Sequence, residues 1–244
     1  MTARERPYLI NASFRPDVDI DYDAYPFNIP SVRNLPSIEF HPNVTFFVGE
    51  NGSGKSTVLE GIAVALGFGP EGGTRNVRFE TVRSVSPLHG ALRLARGTPK
   101  PKDGYFLRAE SFFNVATYMD DVGYLQGHGD KSLHARSHGE SFMSLLVDKL
   151  RGDGIYLLDE PEAALSPSRQ LAALRAIHEL VEANSQFVIA THSPILLAYP
   201  NAKIVLFDGA GLSESTYEDL EHYVVTRDFL NHYPRRLEQL LEDT

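Results

Sequence analysis

Gly49-Glu-Asn-Gly-Ser-Gly-Lys-Ser-Thr57 is the stretch on which the architecture turns. It fulfils the pattern GxxxxGK[ST], in which glycines let backbone N–H groups turn inward around phosphate oxygens. The N-terminus of the helix that follows adds positive potential. The flanks agree with this reading. Val44-Thr-Phe-Phe-Val48 enters the loop as a continuous apolar run, as in a strand buried on both faces of a parallel sheet. A helix is expected from Lys55 to about Leu66. In such a loop Gly49, Glu50, Asn51, Gly52, Ser53, Gly54 and Thr57 surround the phosphates of a nucleotide. Lys55 bridges the β- and γ-phosphates, and Ser56 ligates Mg²⁺.

Gly154-Ile-Tyr-Leu-Leu-Asp-Glu-Pro-Glu162 supplies the complementary half. Its apolar strand delivers Asp159 to the carboxyl edge of the sheet, where nucleotides sit in such folds. Asp159 can hold the Mg²⁺ shell, and Glu160 is placed to polarise an attacking water. Further buried strands are expected at Phe187–Ala190 and Lys203–Phe207. A helix is expected over Pro167–Ala183, with Ser166 as N-cap and Pro167 at its first position. Phe142–Leu150 reads as helix, and a polar, acidic helix ends the chain. Tyr8–Phe14 and Ser37–Phe40 read as short N-terminal strands, while Gly97–Gly104 reads as a mobile loop. Buried strands alternating with helices imply an α/β fold with a mainly parallel sheet.

The chain has 244 residues, 23 Lys+Arg against 32 Asp+Glu, and neither Cys nor Trp. The lack of Cys excludes a disulfide scaffold, a thiolate metal site and a cysteine nucleophile. No run approaches the roughly 18 apolar residues of a membrane span. The opening Met1-Thr-Ala-Arg-Glu-Arg-Pro7 has no apolar signal core, so a soluble cytoplasmic protein without membrane insertion is expected. The formal charge of -9 is unevenly spread: residues 74–108 carry eight basic side chains against Glu80 and Asp103. This segment reads either as a solvated face or as a local surface for nucleic acid.

Taken together, Glu50–Thr57 and Leu158-Asp-Glu-Pro-Glu162 resemble the ABC ATPase superfamily, and within it the small "predicted ATPase" (AAA-family) proteins related to RecF and SMC heads. Three further stretches fall in family order. Ser137-His-Gly-Glu-Ser141 is similar to the signature motif, Ser166-Pro-Ser168 to the D-loop, and Thr191-His-Ser-Pro194 to the switch-histidine loop. The resemblance implies a P-loop NTPase fold of ABC type in one domain over 1–244. Residues 1–45 would form a mainly β part, and 70–150 a small helical insert with the signature helix.

The resemblance also implies Mg²⁺-dependent ATP hydrolysis in a head-to-tail homodimer. Glu160 would be the base, with Lys55 and His192 stabilising charge on the γ-phosphate. Ser137, Gly139 and Glu140 would meet the nucleotide held by the partner copy. The signature departs from the transporter form Leu-Ser-Gly-Gly-Gln, and its Ser-x-Gly-Glu core is commoner in the soluble, DNA-linked branches. No plain glutamine loop is evident, which makes Glu110 the candidate third metal-shell residue. Phe27 and Arg33 are the candidates for stacking on adenine. About 80 residues separate Lys55 from Ser137, too few for long coiled-coil arms. A nucleic-acid-linked or defence role, a transporter's ATP-binding subunit, and a switch acting on an unidentified protein partner all remain open.

Overall fold

Every residue of Val44–Gly49 (β3) is buried, as its uninterrupted apolar run requires. In the computed structural model, residues 7–75, 86–108 and 138–242 are described. Chain order gives β1 (Leu9–Phe14), α1 (Pro30–Arg33), β2 (Ile38–Glu39), β3, and α2 (Lys55–Ala65). Then come α3 (Leu88–Ala91), β4 (Leu92–Arg96), β5 (Asp103–Arg108), α4 (His138–Ser144) and β6 (Gly154–Asp159). The remainder comprises α5 (Pro167–Glu182), β7 (Gln186–Ala190), α6 (Pro194–Leu197), β8 (Lys203–Asp208), β9 (Gly211–Ser215) and α7 (Glu221–Glu242).

One sheet runs β5-β6-β7-β3-β8-β9, parallel except for β9, and a smaller antiparallel sheet runs β2-β1-β4. Because side chains alternate along a strand, each buried strand feeds two cores. Val44, Phe46 and Val48 join Tyr156, Leu158 and Ile189 against Ile177 and Leu180 of α5. On the other face Phe47 joins Leu157, Val188 and Phe207 against Val58, Leu59 and Ile62 of α2. Each such side chain contributes roughly 1.5–3 kcal/mol by leaving water.

The two sheets are joined by a buried amide. Gln186 Oε1 accepts from the backbone N–H groups of Tyr8 and Leu9 at 3.0 and 2.8 Å. Its Nε2 donates to the carbonyls of Leu9 and His41 at 2.8 and 3.0 Å. All of its hydrogen-bonding capacity is used, which removes the penalty of burying it.

Two local expectations change, and one strand is additional. Leu92–Arg96 pairs with β1, and Asp103–Arg108 forms the edge of the parallel sheet, so the basic stretch contains two strands. The described part of 70–150 is therefore strand as well as helix. The signature helix begins at His138 and passes into a π-helical turn at Leu145–Lys149, where a regular helix was expected. The hairpin strand β9 follows from Asp208, whose carboxylate accepts from the N–H groups of Ala210 and Gly211 in the turn. Among the described residues no helix is long and apolar enough to cross a membrane.

Candidate active site

Parallel register brings three strand ends to one edge. Asp159 lies opposite Ala190, Ala190 opposite Phe47, and Gly49 opposite Phe207. The loops leaving β3, β6 and β7 therefore start side by side.

The loop after β3 needs its glycines. Gly49 and Gly54 have φ of 149° and 98°, and a Cβ on Gly49 would collide with the Phe207 carbonyl oxygen. A Cβ on Gly54 would stand 2.7 Å from Ser31 Oγ. Lys55 is buried, and its Nζ donates to the carbonyls of Gly49 at 2.7 Å and Glu50 at 2.9 Å. Burial lowers the pKa of this ammonium, while Glu160, Asp159 and Glu50 oppose the shift. The buried Ser53 Oγ has no hydrogen-bond partner among the described residues. A loop that holds a buried ammonium and an orphaned hydroxyl at a helix N-terminus fits a phosphate chain.

Ser56 Oγ donates to Asp159 Oδ1 at 2.8 Å, so a hydroxyl and a buried carboxylate meet at the start of α2. Arg108 approaches from β5, with Nη1 2.8 Å from Glu60 Oε2 and Nε 3.9 Å from Asp159 Oδ2. Glu160 turns away from the strand in a left-handed conformation, φ 50° and ψ 52°, with its N–H held by the Ala190 carbonyl at 2.9 Å. That turn leaves its carboxylate partly exposed, with Oε1 3.7 Å from His192 Nε2.

The loop after β7 is tied down by Glu162, the last residue of the Leu158–Glu162 stretch and one to which the motif itself assigns no role. Its carboxylate accepts from the His192 N–H at 2.5 Å and from Thr191 Oγ1 at 2.7 Å. Burial raises the Glu162 pKa, and these two donors pull it back. Ser193 Oγ caps α6 by accepting from the Leu196 N–H, and donates to Gln170 Oε1 at 2.6 Å. Gly139, at the start of α4, packs so closely that a Cβ there would lie 2.7 Å from the Ala164 carbonyl oxygen. Glu140 Oε1 is 3.4 Å from Arg169 Nη2, in the first turn of α5.

A model of an AAA domain matches residues 27–100. A second, described as "AAA domain, putative AbiEii toxin, Type IV TA system", matches residues 141–198. The first spans the phosphate loop, and the second spans Asp159 to His192. Both matches are to AAA domains, and the sheet order and site are those of an ABC-type P-loop ATPase fold.

Curated relatives of this ABC-type chain include the macrolide export ATP-binding/permease protein MacB of Neisseria meningitidis, 25% identical over 69% of the chain and 29% of the relative. The energy-coupling factor transporter ATP-binding protein EcfA2 of Methanospirillum hungatei is 25% identical over 83% of the chain and 56% of the relative. The chain thus spans less than a third of MacB and just over half of EcfA2. Solved structures with some likeness include cbiO1 from Clostridium perfringens, part of the ABC transporter complex cbiONQ, at 17% identity and TM-score 0.45, covering 85% of this chain and 90% of that one. The SMC head domain from Thermotoga maritima gives 18% identity and TM-score 0.41, covering 74% and 92%.

Within this ABC-type chain the structure gathers Lys55, Ser56, Asp159, Glu160 and His192 at one sheet edge. Gly139, which is buried, and the exposed Glu140 pack instead beside Ala164 and Arg169. Ser137 and Glu110 fall outside the described residues. Phe27 is 8% exposed, its ring packed beside Phe14 in the core, which leaves little face for a base. An exposed aromatic near the loop is Tyr25, 62% exposed with its hydroxyl 3.5 Å from Thr57 Oγ1. Arg33 lies over Tyr22 and near Asp23. A cavity of about 510 Å³ opens beside Gly49–Ser53, lined also by the turn after β8 and by Asp219–His222.

Proposed function

We propose that the chain binds ATP with Mg²⁺ and hydrolyses its γ-phosphate as half of a head-to-tail homodimer. The observation that carries this reading is the Ser56 Oγ–Asp159 Oδ1 contact of 2.8 Å beside the buried Lys55. One hydroxyl and one carboxylate suit Mg²⁺, which takes few protein ligands and completes its shell with water and phosphate oxygens. Bound there by Ser56 and Asp159, the ion would neutralise charge on the β- and γ-phosphates. Lys55 exchanges its two carbonyl partners for phosphate oxygens, a gain for an ammonium held in a buried site. Glu160 accepts the proton of the attacking water. His192 Nε2 is buried without a hydrogen-bond partner among the described residues, and serves as a donor to the γ-phosphate.

The signature residues Gly139 and Glu140 pack beside the turn before α5, and in a sandwich dimer this end of α4 would meet the nucleotide of the second copy. Since one chain carries both halves, a two-fold homodimer with two ATPs is the economical assembly. Tyr25 takes the adenine-stacking role in place of Phe27.

A defence role is favoured by the description of the family model over 141–198. Several of the described cations of 74–108, the candidate nucleic-acid surface, have partners within the chain. Arg96 donates to the Ala65 carbonyl, Lys102 pairs with Asp153, Arg108 pairs with Glu60, and Arg75 lies over Phe68. The second reading, an ATP-binding subunit of a membrane transporter, is supported by the likeness to MacB and EcfA2. Light scattering of Glu160→Gln at saturating Mg-ATP tests the central reading, and a monomer there overturns the sandwich. Turnover stimulated by DNA favours the first role, and co-purification with a membrane subunit favours the second.

A further inference from the structure

His222, in the first turn of α7, lies 30 residues beyond His192 and belongs to none of the motifs above. Its Nε2 is 3.0 Å from His192 Nδ1, and the two rings stand 5.2 Å apart at 43°. His222 also lines the cavity beside the phosphate loop. Two imidazoles in hydrogen-bond contact pose a proton-placement question that backbone geometry alone does not answer.

A neutral imidazole has one donor and one acceptor nitrogen, and the partner of one nitrogen dictates the other. The hydrogen bond between these rings can run in either direction. If His192 Nδ1 donated to His222, His192 Nε2 would present a lone pair to the Glu160 carboxylate 3.7 Å away. It would present the same lone pair to any phosphate in the loop. Acceptor would then face acceptor. If His222 Nε2–H donates to His192 Nδ1, His192 carries its proton on Nε2, aimed at the anionic side of the site.

The charged groups around the pair are compatible with neutral rings. Lys55, Glu160 and Glu50 face His192, and Glu50, Lys55, His192 and Glu221 face His222. Burial is the leading influence on both rings and disfavours their charged forms.

We propose that His222 is a positioning residue that holds His192 in its Nε2–H tautomer, so that the first turn of α7 sets the proton donor of the nucleotide site. The proposal rests on the reading that His192 Nε2 meets the γ-phosphate. His222 reaches the chemistry only through His192. This logic parallels that of metal-bound histidines, whose far nitrogen is fixed by an outer hydrogen bond.

Two experiments on the full chain test it. Long-range ¹H–¹⁵N spectra of ¹⁵N-histidine-labelled, nucleotide-free protein read the tautomer directly and require no turnover. His192 is expected to be protonated at Nε2 with Nδ1 bare, and to become a tautomer mixture in His222→Ala. A His192 protonated at Nδ1, or one unchanged by His222→Ala, overturns the proposal. In steady-state kinetics His222→Ala is expected to lower kcat by roughly tenfold or more, with the KM for Mg-ATP nearly unchanged. His222→Gln, whose side-chain amide can donate to the same nitrogen, should recover most of that loss. Equal damage from Ala and Gln, or an effect confined to KM, also overturns it. A wild-type chain without ATPase activity would instead sink the catalytic reading, and leaves the spectroscopic test standing on its own.

Discussion

Ser56 Oγ donates to Asp159 Oδ1 at 2.8 Å, across 103 residues of chain. The contact exists because β6 and β3 end at the same sheet edge with only β7 between them. Each residue stands where a divalent cation could replace the shared proton. Ser56→Ala should therefore weaken Mg-ATP binding by about tenfold or more while changing binding of ATP in EDTA far less. Fluorescence titration with a labelled nucleotide, with and without Mg²⁺, reads the difference. Equal weakening in both conditions would remove Ser56 from the metal shell.

Glu162 tethers the loop that carries His192. Its two oxygens accept separately from Thr191 Oγ1 and the His192 N–H. Gln keeps one acceptor for the His192 N–H but sets an NH₂ against Thr191 Oγ1, whose hydroxyl must turn from donor to acceptor while it already accepts from the Ser193 N–H. Glu162→Gln is expected to cost about 1–3 kcal/mol of stability and to lower kcat through displacement of His192. Urea denaturation monitored by fluorescence gives the first quantity. A variant as stable as the parent would mean that the tether is dispensable.

Gln186, in β7, makes three hydrogen bonds to Tyr8 and Leu9 at the start of β1 and a fourth to the His41 carbonyl. Gln186→Leu keeps approximate volume but strands two N–H groups and two carbonyls in a buried seam. The expected loss is about 3 kcal/mol or more. Hydrogen exchange should show the amides of Tyr8 and Leu9 losing protection first, ahead of those in β3. Uniform loss across both sheets would mean that the amide is not the specific link between them.

The sequence displayed the centre of this protein more plainly than its margins. β3 and β6 are legible because each is an unbroken apolar run ending at a motif residue, Gly49 or Asp159, and both are buried throughout. Leu92–Arg96 and Asp103–Arg108 were obscured by their charges, which find partners far along the chain. Arg108 counts as surface charge in a composition, yet it meets Glu60, 48 residues away, at 2.8 Å. Tyr25 and Phe27 are two positions apart, with Pro26 between them, and only tertiary packing determines which ring is buried. His222 lies on a polar helix whose composition gives no hint of its bond to His192.

Both rings of that histidine pair also shape the dependence of stability on pH. His192 and His222 each have a folded pKa below the ordinary value of 6.5, burial being the first cause in both. Below about pH 6.5 the unfolded chain takes up protons that the folded chain resists. The stability these groups contribute is therefore fully present above pH 6.5 and is lost as pH falls through the folded values. Glu162 acts in the opposite sense: its carboxyl, raised from 4.5, carries a cost at neutral pH that is relieved on acidification. The histidine effect is isolated by comparison with His222→Gln, which keeps Glu162. Urea midpoints measured between about pH 7.5 and 5.5 should fall for the parent and fall less for the variant. Parallel curves would show that His222 contributes nothing to acid sensitivity.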